Sequence, residues 1–437
     1  MIERVLPGVS VETVAGERAA QQGVTGVVAM PLTLPWGAKV TELSPSDDTR
    51  VSLGYRRSDP ALKLVNEVLN HANRLILYRL NTGTQATGTI SSGLTAKAMY
   101  GGARGNDLSV IVEAAGDGWM VKTYLDTVEM DSQTVTSAVG FTANGLITLE
   151  GEGALAAKTV KLTGGADGDA KSIDSFIAGL PLHEYNLIAY TGTSAEDVQK
   201  LVGYVKERRD PEVCDMIQLV QSVTATDNEA VYHSTVGGKT ADYELTPAEA
   251  CATMAGILSR CGISDSATNF DDVAGWIDVS TRLTIEQQKA RTQAGEILFG
   301  LRNGAVKVLY DINSLTTHTS ARPKDWHKGL VVRTHDKYAK DLQLLLEEKV
   351  IGYRGTRNGI RNSVEGRNLV KGMIAKMTAE EYVDRGYIAR RSDEDPQGFS
   401  ADDISVKLGN ERDAIDVKVG IKPNDAIDKI YVTVVSQ

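Results

Sequence analysis

The chain has 437 residues, of which 42% are hydrophobic and 24% are charged. This composition is typical of a protein with packed cores and excludes a disordered or low-complexity chain. At about 150 residues per domain, the length predicts about three domains. The formal net charge of -10 repels nucleic acid and anionic membranes, so we expect neither as a partner.

The sequence shows no sign of membrane insertion or export. No apolar run approaches the roughly 18 residues that a membrane-spanning helix needs, and the N-terminus lacks the basic-then-apolar order of a signal peptide. We therefore expect a soluble chain that is not exported. The cysteines Cys214, Cys251 and Cys261 are odd in number and lack CxxC spacing. They predict reduced thiols, without a disulfide framework or a zinc site.

Residues 1–24 are predicted to form an extended arm. Val9 and Val11 alternate with polar neighbours, as in a half-buried strand, and no partner strand lies nearby in the sequence. An α/β pattern begins at residue 25. Asp59 and Pro60 indicate a helix start, and the apolar residues 74–80 predict a buried strand.

Short strands separated by Gly, Asn and Asp recur between about residues 88 and 162. Their spacing of about 8–12 residues is typical of a small sandwich or barrel. The α/β pattern then resumes with a strand at 186–190. We therefore interpret residues 91–180 as a β domain inserted into an α/β core.

Three helices of the resumed α/β pattern are predicted from capping boxes, in which Thr is followed three residues later by Glu or Gln. They are expected to end near Glu207, Gly262 and Leu301, and a strand is expected at 305–312. A further helix is predicted at 336–351, and the last ten residues alternate as a strand. The three boxes pair Thr193 with Glu196, Thr246 with Glu249, and Thr284 with Gln287.

Two glycine-rich motifs are candidates for binding loops. Residues 237–240 contain the Gly-Lys-Thr of a phosphate-binding loop, but the pattern also needs a glycine at the position of His233. The flanking residues favour a hairpin, with these residues as its turn. Gly164, Gly165 and Gly168 are interpreted as a turn at a domain junction, because the spacing of a calcium loop is absent.

No residue of this sequence is predicted to be catalytic, to bind a cofactor or to hold a metal. His318, His327 and His335 are separated by nine and eight residues, which does not place them on one helix face, and no further ligand completes a tetrahedral set. We expect solvated or capping histidines. No signature of a nucleophilic or metal-dependent enzyme occurs either.

One basic segment departs from the acidic balance of the chain. Residues 349–376 carry seven basic side chains and one acidic side chain, a net charge of +6. Nucleic acid, an acidic protein surface and a plain solvated helix face all remain open on charge alone, although Tyr353 is the only residue of the segment suited to base stacking.

The order of several motifs resembles that of contractile phage tail sheath proteins. They are the Ala-Gly-Ile helix at 255–257, the Leu-Thr helix start at 283–284, and the strand ending in Asp-Ile-Asn-x-Leu-Thr at 311–316. Residues 100–106 resemble the Tyr-x-Gly-x-x-Gly-Asn opening of the inserted β domain, with Gly101 in place of the usual Pro. The likeness is strongest to sheaths of phages of Gram-positive bacteria and related bacteriocins, and it covers nearly the whole chain.

This resemblance implies a multi-domain α/β fold and a structural function. Residues 1–24 would form the N-terminal arm, 25–90 with 181–330 the α/β core, 91–180 the β insertion, 331–422 a C-terminal sheath domain and 423–437 a C-terminal arm. Subunits would form stacked hexameric rings around an inner tube and shorten irreversibly to drive that tube through a bacterial envelope. No cofactor is implied.

The implied partners are other copies of this chain, the inner tube protein, and the baseplate and tail terminator proteins. Assembly would take place in the bacterial host cytoplasm, and the particle would be a virion tail or a genome-free bacteriocin. A nucleotide-binding enzyme with a degenerate phosphate loop and a monomeric adhesin are the alternatives. The residues expected in intersubunit strands are Val9, Val11, Val14, Ile427, Ile430, Val432 and Val434, and those expected to face the tube are Arg354, Arg357, Arg361, Arg367 and Lys371.

Overall fold

The computed structural model describes residues 25–211, 213–268, 272–352 and 359–433. These residues form two compact units. The sandwich unit comprises residues 29–69 and 74–183, and the core unit comprises 25–28, 70–73 and the described residues from 184 onward. Both units combine helices with sheets, as expected for the α/β class.

The sandwich unit begins with an α/β segment. Its β2 and β3 strands pair antiparallel, with Leu43 opposite Leu75. The Asp59 side chain accepts a hydrogen bond from Ala61 N at 2.9 Å and starts a short 3-10 turn that leads into α2, so the predicted helix start is confirmed. The elements are β1 (Val27–Leu32), β2 (Val40–Leu43), α1 (Thr49–Leu53), α2 (Lys63–Leu69) and β3 (Arg74–Arg79).

The predicted β insertion is a small sandwich. One sheet has the strand order β10-β6-β7-β8 and the other has the order β4-β5-β9. Alternate residues such as Leu94, Ala96, Leu108 and Val110 are buried in its core, because successive side chains of a strand point to opposite faces. The strands are β4 (Gln85–Ser91), β5 (Leu94–Gly101), β6 (Leu108–Ala115), β7 (Gly118–Leu125), β8 (Val128–Val135), β9 (Ile147–Gly151) and β10 (Lys158–Lys161), and α3 (Asp174–Gly179) follows them.

The core unit contains parallel strands in the order β17-β13-β12-β11. Helix α5 packs against β11, β12 and β13 and is buried from Ala250 to Ser259. The elements of this part are β11 (Leu187–Ala189), α4 (Ala195–Arg208), β12 (Gln218–Gln221), β13 (Val231–Ser234), β14 (Gly238–Thr240), β15 (Glu244–Leu245), α5 (Pro247–Arg260), β16 (Trp276–Val279), α6 (Ile285–Gln293), β17 (Glu296–Ile297), β18 (Phe299–Arg302) and β19 (Ala305–Val308).

Two of the three predicted capping boxes form, at Thr246 and Thr284. The third prediction is wrong by one residue, since α4 is capped by Ser194, whose Oγ accepts from Asp197 N at 3.2 Å. The helix predicted to reach Leu301 ends at Gln293 instead. Gly295 has φ +81°, a left-handed conformation that commonly ends helices, and the apolar residues after it form β17 and β18.

The C-terminal part of the core unit surrounds a second apolar cluster that includes Tyr338, Leu342, Val370 and Ile374. The helix predicted at 336–351 starts earlier, at Gly329, and ends in a π-helical turn. Between Pro423, which bridges to Ile388, and residue 433 the described chain forms no strand. The elements are α7 (Gly329–Leu346), α8 (Val364–Thr378), β20 (Ile404–Leu408) and β21 (Ile415–Val419).

Candidate assembly surfaces

The Asp-Ile-Asn-x-Leu-Thr motif begins with a buried carboxylate. Asp311 Oδ2 accepts from Arg333 Nη2 at 2.8 Å and from Ala267 N at 2.9 Å. Arg333 also donates to the carbonyl oxygens of Gly262 and Asp265. Burial alone would lower the pKa of Arg333, but the Asp311 charge raises it above its ordinary value. Asp311 therefore joins α7 to the chain after α5.

The rest of this motif holds two loops together. Asn313 Nδ2 donates to Trp326 O at 2.8 Å, and the backbone N–H groups of Thr316 and Thr317 donate to Asp227 Oδ1 at 2.7 and 2.9 Å. These backbone hydrogen bonds lower the pKa of Asp227 to about 2. The motif's side chains are thus engaged within the subunit and serve its fold.

The Tyr-x-Gly-x-x-Gly-Asn motif fastens the two ends of the β insertion. Asn106 Nδ2 donates to Gly165 O at 2.9 Å, and Gly165 N donates back to Asn106 Oδ1 at 2.8 Å. Gly102 has φ +141°, and a Cβ there would lie 1.9 Å from Pro35 O. Only glycine fits at this close approach. Gly165 lies inside the sandwich unit, between residues Thr163 and Ala166 that bridge to Thr87 and Thr84, so the expected turn at a domain junction is not what the structure shows there.

The Gly-Lys-Thr residues at 238–240 do not form a phosphate-binding loop. They form strand β14, which pairs antiparallel with β15 and β16, and Lys239 Nζ lies 3.3 Å from Glu244 Oε1. The predicted hairpin of the two flanking segments is wrong, because β13 pairs parallel with β12 and β17, and the hairpin that does form joins β14 to β15. A phosphate-binding loop must lead into a helix N-terminus, whereas β14 leads into β15.

The three histidines lie in different environments. His318 is exposed, and its ring centroid lies 6.3 Å from that of His327. His327 Nδ1 bonds to Lys324 O, in keeping with a capping role. His335 is buried, so the expectation of a solvated or capping histidine is wrong there. In the described ranges no group of His, Cys, Asp or Glu is arranged to hold a metal.

The three cysteines are free and buried. Burial raises the pKa of Cys251 and of Cys261 to about 12. Because the thiolate is the reactive form, such buried thiols are chemically inert.

The described C-terminal segment, residues 425–433, follows Asn424, whose N–H donates to Tyr387 O at 2.9 Å, and it is held to its own subunit around Lys328. The ammonium of Lys328 lies 3.2 Å from Asp425 Oδ2, forms a second ion pair with Asp428, and lies 4.3 Å from the ring centroid of Tyr310. Lys429 Nζ lies 5.2 Å from the same centroid. Burial alone would lower the pKa of Lys328, but the hydrogen bond to Asp428 and nearby charges raise it.

Large apolar side chains of the same segment are exposed. Ile427, Ile430, Tyr431 and Val432 are 85%, 77%, 91% and 76% exposed. These residues include three of the side chains expected in intersubunit strands. In the single chain they form no strand. The other residues assigned to the strand arms, Val9, Val11, Val14 and Val434, lie outside the described residues.

The basic segment divides into residues with different surroundings. Arg361 is exposed, whereas Arg367 is half-buried and donates to Asn362 Oδ1 at 2.8 Å. Asn362 Nδ2 donates in turn to Ala414 O at 2.8 Å, so Arg367 supports the turn between β20 and β21. Lys371 is half-buried on α8. Arg354 and Arg357 lie outside the described residues.

Helix α8 carries an apolar feature that the sequence reasoning missed. Val364 and Leu369 are 60% and 51% exposed, while Val370, Ile374 and Thr378 are buried. The buried residues recur every fourth position, which defines the inner face of a helix. That periodicity would have placed Leu369 on the outside.

Comparisons with known proteins agree with this architecture. Residues 25–80 match the N-terminal region of domain III of the tail sheath protein Gp18, residues 81–167 the phage tail sheath β-sandwich domain, and residues 166–314 the phage tail sheath central domain. The chain is 31% identical to the phage-like element PBSX protein XkdK of Bacillus subtilis, over 97% of this chain and 95% of that protein. The chain belongs to the contractile phage tail sheath family.

Solved structures extend this assignment to the fold of the sheath subunit. The sheath tail protein of Desulfitobacterium hafniense is 31% identical, with a TM-score of 0.81, over 97% of this chain and 99% of that one. The helical sheath of the anti-feeding prophage in its contracted state matches with 15% identity and a TM-score of 0.53, over 100% of both chains, which shows a shared fold alone.

The sheath subunit is therefore a structural protein of contractile phage tails or tail-like particles. The motifs that carry the resemblance position its backbone and core. In the part of the chain that the structure describes, no helix is long and apolar enough to cross a membrane.

Proposed function

We propose that the sheath subunit forms rings of six that stack helically around an inner tube and shorten irreversibly to drive the tube through a bacterial envelope. The match to a helical sheath in its contracted state supports a polymer that changes length. A baseplate structure of the anti-feeding prophage also contains a chain of this fold, with a TM-score of 0.53, which supports a baseplate as the partner at one end. The tube protein and a tail terminator complete the proposed set of partners.

The observation that carries this proposal is the exposed apolar C-terminal segment. Ile427, Ile430, Tyr431 and Val432 are all more than three-quarters exposed in the single chain. Consecutive large apolar residues of this kind mark a surface that a partner covers. We infer that Ile430, Val432 and Val434 pair as a strand with a neighbouring subunit and that Val9, Val11 and Val14 do so from the N-terminus. Ile427, expected in the same strand, is left out because its neighbours Asp425 and Asp428 are paired with Lys328 of their own subunit.

The β20–β21 hairpin is the sheet that we propose as the acceptor for these strands. It is an antiparallel pair, and within the described residues no further strand joins either of its edges. An open edge presents N–H and C=O groups that a strand from another chain can pair with. Each such main-chain hydrogen bond contributes about 0.5–1.5 kcal/mol net, so a few bonds per arm join subunits without fixing their cores.

This mesh explains how the sheath works without nucleotide hydrolysis. The arms keep neighbours connected while the contacts between their cores rearrange from an extended to a contracted lattice. The free energy of contraction is then stored when the extended polymer assembles on its tube. The sheath would have the same role in a genome-carrying virion and in a genome-free bacteriocin. DNA that copurifies with intact particles would identify the particle as a virion.

The contact with the tube is proposed to involve the basic segment. Exposed ion pairs suit a contact that must release, because each contributes only about 0–1 kcal/mol and is screened by salt. Arg361 is the described member with an exposed side chain. Lys371 and Arg367 are half-buried, and the hydrogen bond of Arg367 to Asn362 makes it the weaker candidate of the three described residues. Arg354 and Arg357 complete the set.

The function is tested by electron microscopy of the purified full-length chain, alone and with its tube protein. We expect long hollow cylinders from the natural sequence and folded but unassembled subunits from Val432→Pro and from deletion of residues 427–437. Proline removes a hydrogen-bond donor and strains the ladder, whereas the matched control Val432→Thr keeps both the donor and β-branching and should assemble.

Hydrogen exchange then locates the pairing. Amides of the N-terminal arm and of residues 430–437 should exchange rapidly in the isolated subunit and slowly in the cylinder. Equal protection in the two states would contradict the proposal that the arms pair between subunits.

A further inference from the structure

The C-terminal segment is held by a cluster that we call the Lys328 clasp, made of Lys328, Asp425, Asp428 and Tyr310. The side chain of Lys328 is only 4% exposed and that of Asp428 is 9% exposed, whereas Asp425 is 38% exposed. The clasp thus pairs residues about one hundred positions apart in the sequence. Among the described residues after Asn424, its two ion pairs are the only ones that the segment makes.

The position of Lys328 explains why the clasp is rigid on the side of the core. Lys328 is the residue before α7, and its backbone bridges to Ile312 inside the Asp-Ile-Asn-x-Leu-Thr motif. The next residue, Gly329, donates its N–H to Asp311 O at 3.2 Å. The backbone that carries the Lys328 side chain is therefore fixed beside the buried Asp311–Arg333 pair.

The chemistry of the clasp suits a permanent anchor. A buried ammonium needs partners for its charge, and here two carboxylates and the face of the Tyr310 ring supply them. Removing one partner of a buried pair leaves the other charge uncompensated, so such pairs are costly to break. Exposed pairs elsewhere in the chain have no such barrier, because water replaces the lost partner.

The two sides of the clasp differ sharply. The side chain of Asp428 is 9% exposed, whereas Ile430, Tyr431 and Val432, which follow within four residues, are each more than three-quarters exposed. The described contacts of the chain with its own core thus end at about residue 429, and the apolar side chains that follow are exposed. Lys429, near the Tyr310 ring, is the last residue with a described contact to the core.

We propose that the Lys328 clasp is the fixed root of the C-terminal arm. It keeps residues 425–429 on their own subunit in both the free and the assembled states and sets the direction in which residues 430–437 leave it. Lys328 is then a positioning residue for assembly. This inference rests on the proposed function, because a direction matters only if the arm reaches a neighbour.

The mobility of the chain at the root is measured from the line shape of a spin label attached at Ile427→Cys in the full-length subunit. The native cysteines are buried, so labelling is directed to residue 427, whose exposed side chain leaves the packing intact. We expect a restricted line shape in the otherwise natural chain. In Lys328→Met the line shape should become as mobile as that of a label on Val432→Cys. Asp428→Asn, which preserves size, should give the same change, and it serves as the second variant if Lys328→Met fails to fold.

The matched control is Lys307→Met, because Lys307 Nζ lies 2.9 Å from Asp272 Oδ1 in the same unit without contact to the arm. It should leave the line shape unchanged. In a sedimentation assay, Lys328→Met should raise the subunit concentration needed for polymerisation by about tenfold or more, equivalent to 1.4 kcal/mol or more, while the control assembles normally.

The outcomes separate this inference from the proposed function. An unchanged line shape in Lys328→Met and Asp428→Asn would overturn the clasp as the root, and a mobile label with normal polymer yield would overturn its role in directing the arm. Deletion of residues 430–437 tests the arm itself. If that deletion polymerises normally, the intersubunit pairing is wrong, whereas the line shape of the isolated subunit still reports on the clasp.

Discussion

The imidazole ring of His335 lies flat against the indole ring of Trp326. Their centroids are 4.4 Å apart and the planes differ by 10°. His335 is 1% exposed and Trp326 is 2% exposed, so this stack fills the space between the start of α7 and the loop before it. Burial, with a further contribution from the positive charge of Arg322, lowers the pKa of His335 to about 3.

The stack predicts a defined acid sensitivity. Between the ordinary pKa of 6.5 and the folded pKa of about 3, the unfolded chain binds a proton at His335 that the folded chain does not. The free energy of unfolding should therefore fall as the pH is lowered through this window, by roughly 1.4 kcal/mol per pH unit from this group. His335→Phe keeps an aromatic ring and should reduce that slope in urea unfolding curves. An unchanged slope in His335→Phe would contradict this prediction.

The buried ion pair of Asp311 and Arg333 predicts a large loss of stability on substitution. The Asp311 side chain is fully buried and that of Arg333 is 9% exposed. Arg333→Met should lower the free energy of unfolding by about 3–5 kcal/mol, because it leaves a buried carboxylate without its partner. Arg385→Met, which removes an exposed pair with Glu381, should change it by about 0.5 kcal/mol or less. Equal effects in chemical denaturation would contradict this assignment.

The close approach at Gly102 predicts that even a methyl group is not tolerated there. A Cβ would lie 1.9 Å from Pro35 O at φ +141°, so Gly102→Ala must displace the backbone where the β insertion begins. We expect a loss of at least about 1–3 kcal/mol, seen as a lower melting temperature and faster proteolysis between 81 and 167. Gly116→Ala has a positive φ of +58° but no atom within 4 Å. Gly116→Ala should therefore lower the free energy of unfolding clearly less than Gly102→Ala. The difference between the two variants measures the effect of the clash apart from that of backbone strain.

The basic segment predicts a salt-sensitive contact with the tube. Reversing the charge of Arg361 together with Lys371 should reduce assembly on isolated tubes, measured by cosedimentation, and the difference from the natural chain should shrink as salt rises. Monomer stability should stay the same, since neither residue has an ion pair in the described structure. Arg367→Glu is the contrasting variant, because losing its bond to Asn362 should destabilise the subunit itself. Normal assembly of the double reversal would place the tube contact elsewhere.

Local patterns in the sequence determined several features of this fold. The capping boxes at Thr246 and Thr284, the helix start at Asp59 and the alternating strands of the β sandwich were predictable because each depends on residues only a few positions apart. The order of the family motifs identified the class of protein. The candidate site was predictable only in part. The sequence indicated Ile430 and Val432 as assembly residues, but it gave no sign of what fixes the chain just before them.

Tertiary structure decided what depends on distant residues. The apolar residues after α6 suit a helix or a strand equally well, and only the partners β13 and β19 make β17 and β18 strands. Lys239 belongs to a strand because β16 lies beside it, and His335 is buried because Trp326 covers it. Lys328 reads as an ordinary surface lysine until the fold brings Asp425 and Asp428 to it. Burial and pairing over such separations are properties of the packed chain, and no local pattern of residues encodes them.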